Sequence, residues 1–224
     1  MYGEIINPAL REWLFEDHRL HPKIYDVKVR DRIERTVSIR MGLSWPQPDK
    51  AGYFVLVAQL EPTREDKTLG RNRFLAFKEG ESPILNTLFE KIGDVCSRTR
   101  VDSIYHGDEE GDSSFSGMLN DYLRNNGKDY PNIPTAWKSW RSKDTNFLVQ
   151  VVRNYIANRE LIFFNITDNR TPKLIEKIQQ VNEQSDILKI PEIRALSYVM
   201  DDFNCSPWTP PAKEEKREKV SPWV

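Results

Sequence analysis

Two short stretches carry most of the residue types that could do chemistry. The first is GDEEGD at positions 107–112, where Asp108, Glu109, Glu110 and Asp112 crowd together. Mg²⁺ and Mn²⁺ are hard cations that take oxygen ligands, so a carboxylate-rich loop of this kind has the charge to hold one. The bland alternative is a solvated loop, in which Asp112, Ser113 or Ser114 caps the helix that follows. The second stretch is TAWKSWRSK at 135–143. Lys138, Arg141 and Lys143 alternate with Trp137 and Trp140, which suits phosphate contact and base stacking. Two tryptophans so close together suit the rim of a core equally well.

The remainder of the composition narrows the field. With 33 Lys+Arg against 34 Asp+Glu, the net charge of −1 gives no global electrostatic footprint for nucleic acid, so only local clusters can. The three histidines, His18, His21 and His106, are scattered and no CxxC occurs, which leaves carboxylates as the candidate metal ligands. Cys96 falls in an apolar helical pattern and reads as a buried thiol. No leader-like or long apolar run is visible, so the expectation is a chain outside the membrane, in a reducing cytoplasm.

These residues must be positioned by the elements around them. Residues 37–45 and 51–59, VSIRMGLSW and AGYFVLVAQ, read as two strands joined by a Pro-rich turn, and 72–77 as a third, giving an antiparallel meander. A helix over 83–98 follows, with Ser82 as its N-cap and Pro83 in its first turn. Next come a short strand at 101–106, a helix over 116–125, a strand at 135–140, a helix over 146–158 and a brief strand at 161–165. Helices over 172–184 and 191–203 close the order. The pattern predicts an α/β fold: three antiparallel strands, then alternating strands and helices, in a mixed sheet flanked by helices. Residues 1–36 form a lead segment, with a helix at 7–18 and an edge-strand pattern at Tyr25, Val27 and Val29. Residues 37–205 form the domain. Residues 206–224, Pro-rich around KEEKREK, read as a disordered tail.

Four stretches carry a family resemblance: MGLSWPQPDKAGYFVLV, SIYHGDEEGDSSFSGML, IPTAWKSWRSKDTNFLVQVVRNYIANRELIFF and PEIRALSYVM. In order and spacing they resemble the C-terminal nuclease domain of the phage large terminase subunit, of the RNase H-like superfamily. The resemblance implies a Mg²⁺- or Mn²⁺-dependent DNA endonuclease of viral DNA packaging, phage or prophage encoded and working in the host cell cytoplasm. Two metals would activate water and stabilise the leaving oxygen. Their acids would come from the first strand, the fourth strand and the last helix.

Carried over residue by residue, the first acid falls on Ser44, a degenerate position. The second falls on Asp108, with Glu110 and Asp112 as further ligands. The third falls near Ile190 and Arg194, where Glu192 is the nearby carboxylate; Asp49, in the Pro-rich turn, is a candidate replacement for the first. Asp201 and Asp202 lie beyond the expected position and read as solvated or C-terminal residues. Lys138, Trp140, Arg141 and Lys143 are the implied contacts to double-stranded DNA. No GxxxxGK[ST] loop occurs, so a separate terminase ATPase or a portal protein is the expected partner. The rival readings are a working nuclease with rearranged ligands, a silent relative that binds DNA or protein, and an ordinary α/β interaction protein. The last requires that the strand ends at Ser44 and Asp108 do not lie side by side.

Overall fold

Nine consecutive buried residues make β4 (Gly52–Leu60) the spine of the molecule. A strand buried along its whole length must be covered on both faces. Phe54, Leu56, Ala58 and Leu60 point into one layer, and Tyr53, Val55 and Val57 into the other, as the period of two requires. The first layer contains α1 (Leu85–Arg98) and α2 (Asp112–Asn126), which contribute Leu88, Phe89, Ile92, Leu119 and Leu123. The second contains α3 (Thr145–Ala157), α4 (Lys173–Gln180) and α5 (Pro191–Cys205), with Val152, Leu174, Leu196 and Val199 against the sheet. This computed structural model describes residues 2–5, 26–29, 32–62, 68, 72–99, 101–107, 112–126, 135–138, 145–158, 160–164, 173–181 and 189–205.

The other strands are β1 (Tyr2–Ile5), β2 (Asp26–Val29), β3 (Arg32–Ser44), β5 (Phe74–Ser82), β6 (Ser103–Gly107), β7 (Thr135–Lys138) and β8 (Leu161–Phe164). They form one sheet in the order β2-β1-β8-β5-β4-β3-β6-β7. β3, β4 and β5 are the predicted antiparallel meander, and β6 and β7 extend it in parallel from β3. The first part of β3 pairs with β2, and β2 with β1, so strands from residues 1–36 join the same sheet. The boundary at 36/37 therefore falls inside a strand. The expected helix at 7–18 and the tail at 206–224 lie outside the described residues.

Two expectations need correction. The third strand runs on to Ser82 instead of ending at Phe77, because KEGES lacks apolar alternation yet its backbone completes the ladder with β4, Glu79 opposite Val55 and Glu81 opposite Tyr53. Ser82 is consequently a strand residue and not the N-cap of α1. Its Oγ accepts from the Ile84 N–H at 3.1 Å, and Ile84 takes the cap position with no side-chain cap. Cys96 is buried as expected, and burial pushes its thiol up to about 12, which leaves it protonated and unreactive. Among the described residues no helix is long and apolar enough to cross a membrane.

Candidate functional site

α5 lies so close to β3 that a β-carbon on Gly42 would sit 1.9 Å from the Ala195 carbonyl oxygen. Only a residue without a side chain allows that approach. Two residues back along the strand, the Arg40 guanidinium ion-pairs with Asp202 and stands 4.2 Å from the centre of the Phe203 ring. Asp202 also bonds to the Tyr105 phenol, whose pKa is raised first by burial. Arg40 meets Asp202 and Gly42 meets Ala195, so helix and strand run in opposite directions. Ser44, on the same face as Gly42, therefore falls beneath the first turn of α5. That turn bears Glu192 and Arg194, the latter only 1% exposed.

The strand registers place this spot in a row across the sheet. Ser44 pairs with Tyr53, and Tyr53 with Glu81. On the other side Leu43 pairs with His106, which sets Ser44 beside Gly107, and Gly107 pairs with Lys138. The row reads Glu81, Tyr53, Ser44, Gly107, Lys138, and Asp108 follows Gly107 directly in the chain. From the opposite face Trp45 packs edge-on against His106, ring centres 5.4 Å apart, holding the two strand ends together.

On the β4–β5 side of Ser44 the charge is negative. The Tyr53 hydroxyl donates to Glu79, whose Oε2 also accepts from the Leu174 N–H at 3.3 Å, at the start of α4. Burial first, then Glu79, Glu192 and Glu81, hold the Tyr53 phenol well above its ordinary value. It is a neutral donor surrounded by carboxylates.

No protein-family profile matches the chain, and no curated protein sequence does. Among solved structures, the chain is similar to the human cytomegalovirus terminase nuclease domain, Mn-soaked and inhibitor-bound. That similarity has a TM-score of 0.47 and 9% identity, over 77% of this chain and 84% of that one. It is also similar to the large terminase nuclease domain of bacteriophage SPP1 with bound Mn, at TM-score 0.44 and 14% identity, over 76% and 87%. Both structural neighbours are terminase nuclease domains. The fold itself is decided by the strand order β5-β4-β3-β6-β7, with β4 antiparallel and helices on both faces. It is RNase H-like.

Within this RNase H-like frame the sequence-derived residues are distributed unevenly. Ser44 ends β3, buried, and its Oγ has no hydrogen-bond partner among the described residues. Asp108, Glu109, Glu110, Trp140, Arg141 and Lys143 lie outside the described residues. Asp112 opens α2, four residues earlier than the helix was expected to start. Glu192 is buried in the first turn of α5, and Asp49 is exposed at the tip of the β3–β4 turn. Lys138 ends β7. Asp201 and Asp202 are buried, not solvated, because Arg40 reaches Asp202 from β3. Sequence reasoning missed Tyr53, Glu79 and Glu81; the acids were invisible once the third strand was ended at Phe77.

Of the acids that the resemblance implies for a pair of Mg²⁺ or Mn²⁺ ions, the described residues hold Glu192, with Ser44 at the first position and Asp108 outside them. Ser44 offers a buried neutral hydroxyl where a carboxylate is wanted. Among the described residues no three His, Cys, Asp or Glu side chains come together to hold a metal. Arg194 is buried in the same helical turn as Glu192.

Proposed function

We propose that this chain is a terminase-type nuclease domain of viral DNA packaging whose two-metal site is partly lost, so that binding of double-stranded DNA has outlasted fast cleavage. One observation supports the reading: Ser44 and Gly107 end parallel neighbouring strands, and a buried serine stands at the first of the three expected acid positions. DNA contact comes from Lys138, which pairs with Gly107 at the end of that row, and from Arg141 and Lys143 just after it in sequence. The partners are double-stranded DNA and a separate ATPase or portal protein, in the cytoplasm of an infected cell.

A second reading, a nuclease with rearranged ligands at Asp108, Glu110 and Asp112, is favoured by the acidic stretch that continues directly from Gly107. Supercoiled plasmid incubated with millimolar Mn²⁺ or Mg²⁺ separates the two. The expected result is no nicking, or slow nicking that Asp108→Ala abolishes. Rapid linearisation would show a complete site and sink the proposal.

Binding is tested apart from cleavage. Lys138→Ala with Arg141→Ala should weaken duplex binding and lower the slope of log K against log salt by about 2, one for each phosphate no longer neutralised. Unchanged affinity and slope would remove this segment from the interface.

A further inference from the structure

No turn sets the register of β6 on β3. The two strands are parallel, and β4, β5 and α1 lie between them in the chain. Side-chain order does not set it either. SIYHG lacks apolar alternation, and both faces of β6 are covered, with Ile104 buried in the first layer and Tyr105 bonded to Asp202 of α5. The residue just before the strand does engage β3. The Asp102 N–H donates to the Ile39 carbonyl at 2.7 Å, and Asp102 Oδ2 accepts from the Ile39 N–H at 2.9 Å. One residue thus holds both backbone groups of Ile39, 63 positions away in sequence. The next pair in the ladder is Arg40 with Ser103.

We infer that Asp102 is a positioning residue: its carboxylate fixes the register of β6 on β3 and so sets what stands level with Ser44. A charged acceptor makes a stronger bond than a backbone carbonyl in the same place. It also marks a single position of the chain, which a uniform backbone ladder does not. A slip by one residue would shift β6 about 3.3 Å along the sheet and turn each of its side chains to the other face. Gly107, and Asp108 after it in the chain, would leave their place beside Ser44. β7 would move as well. Among the described residues its strand partner is β6, so Lys138 is level with Ser44 by way of Gly107. The consequence for DNA rests on the proposed reading of Lys138 as a phosphate contact, whereas the register does not.

The test is NMR of the full chain, with amide exchange and cross-strand contacts as readouts, alongside duplex binding. Asp102→Ala should speed exchange of the Ile39 amide about tenfold to hundredfold relative to the amides of β4, as loss of a bond to a charged acceptor predicts. It should also remove the contacts of Arg40 with Ser103 and of Leu43 with His106, and weaken duplex binding at least about threefold where the variant is folded. Asp102→Asn keeps an acceptor oxygen on the same stem and should restore all three. Val152→Ala opens a cavity in α3, whose neighbours are α5 and β8. It should lower the melting temperature and leave register and duplex affinity as in wild type.

Unchanged Ile39 exchange with an intact register in Asp102→Ala would overturn the inference, as would a lost register that Asn does not repair. If Asp102→Ala does not fold, Asp102→Asn decides: wild-type exchange at Ile39 supports the role of the acceptor oxygen, and fast exchange there overturns it. A lost register with unchanged duplex affinity would leave Asp102 as the positioning residue and remove Lys138 from the DNA interface.

Discussion

Gly42→Ala should destabilise the domain by about 3 kcal/mol or more, although alanine is ordinarily the better strand residue by about 0.5–1 kcal/mol. The sign reverses because the added carbon would stand 1.9 Å from the Ala195 oxygen and 2.7 Å from its carbonyl carbon. Those are backbone atoms of a helix, which cannot step aside as a flexible side-chain end would. α5 must therefore lift from β3, and the turn carrying Glu192 and Arg194 must lift with it. Urea unfolding reads the effect, and Gly117 is the internal control. Gly117 is on the exposed face of α2 and a β-carbon there meets nothing within 4 Å, so Gly117→Ala should stabilise by about 1 kcal/mol. Equal and small changes at both positions would mean that the close contact at Gly42 does not fasten α5.

How far the sequence led can be judged at particular residues. The apolar run at 53–58 announced a strand, and the helical spacing of Leu88, Phe89, Ile92 and Val95 announced α1, because burial leaves a record in the order of side chains. The resemblance puts the first expected acid at Ser44, and in the structure Ser44 is a buried residue at the end of β3. Glu79 and Glu81 were not legible. Their place in the site depends on ladder bonds of the backbone to β4, and backbone pairing leaves no mark on side-chain order. Asp202 was misjudged for a related reason. Its counter-charge, Arg40, is 162 residues away in sequence and reaches it only once α5 crosses β3.

The same row of residues also orders the electrostatics of the site. Glu81, Glu79 and Glu192 lie on one side of Ser44, and Lys138 lies on the other, with Arg141 and Lys143 following in sequence. A phosphate backbone favours basic residues and is repelled by carboxylates. Under the proposed function, duplex binding then belongs to the β6–β7 side, and Glu79, fixed by Tyr53 and Leu174, helps to anchor α4.

Arg40→Ala should cost about 3 kcal/mol, the lower part of the range for breaking a buried ion pair, since Arg40 and Asp202 remain 13% and 10% exposed. The loss has two sources: Asp202 is left between sheet and helix without the guanidinium, and Phe203 loses the cation over its ring. Removing both charges together, as Arg40→Met with Asp202→Leu, should cost less than the two single changes summed, because neither charge is then stranded. Equilibrium unfolding of the four proteins gives the coupling directly, and strict additivity would mean that the ion pair does not fasten α5. A fastened helix matters for the site at its other end. Arg40 fixes the C-terminal half of α5 through charge, and Gly42 fixes its middle through close approach. Only the first turn, with Glu192 and Arg194, is then left to decide what the end of the sheet can hold.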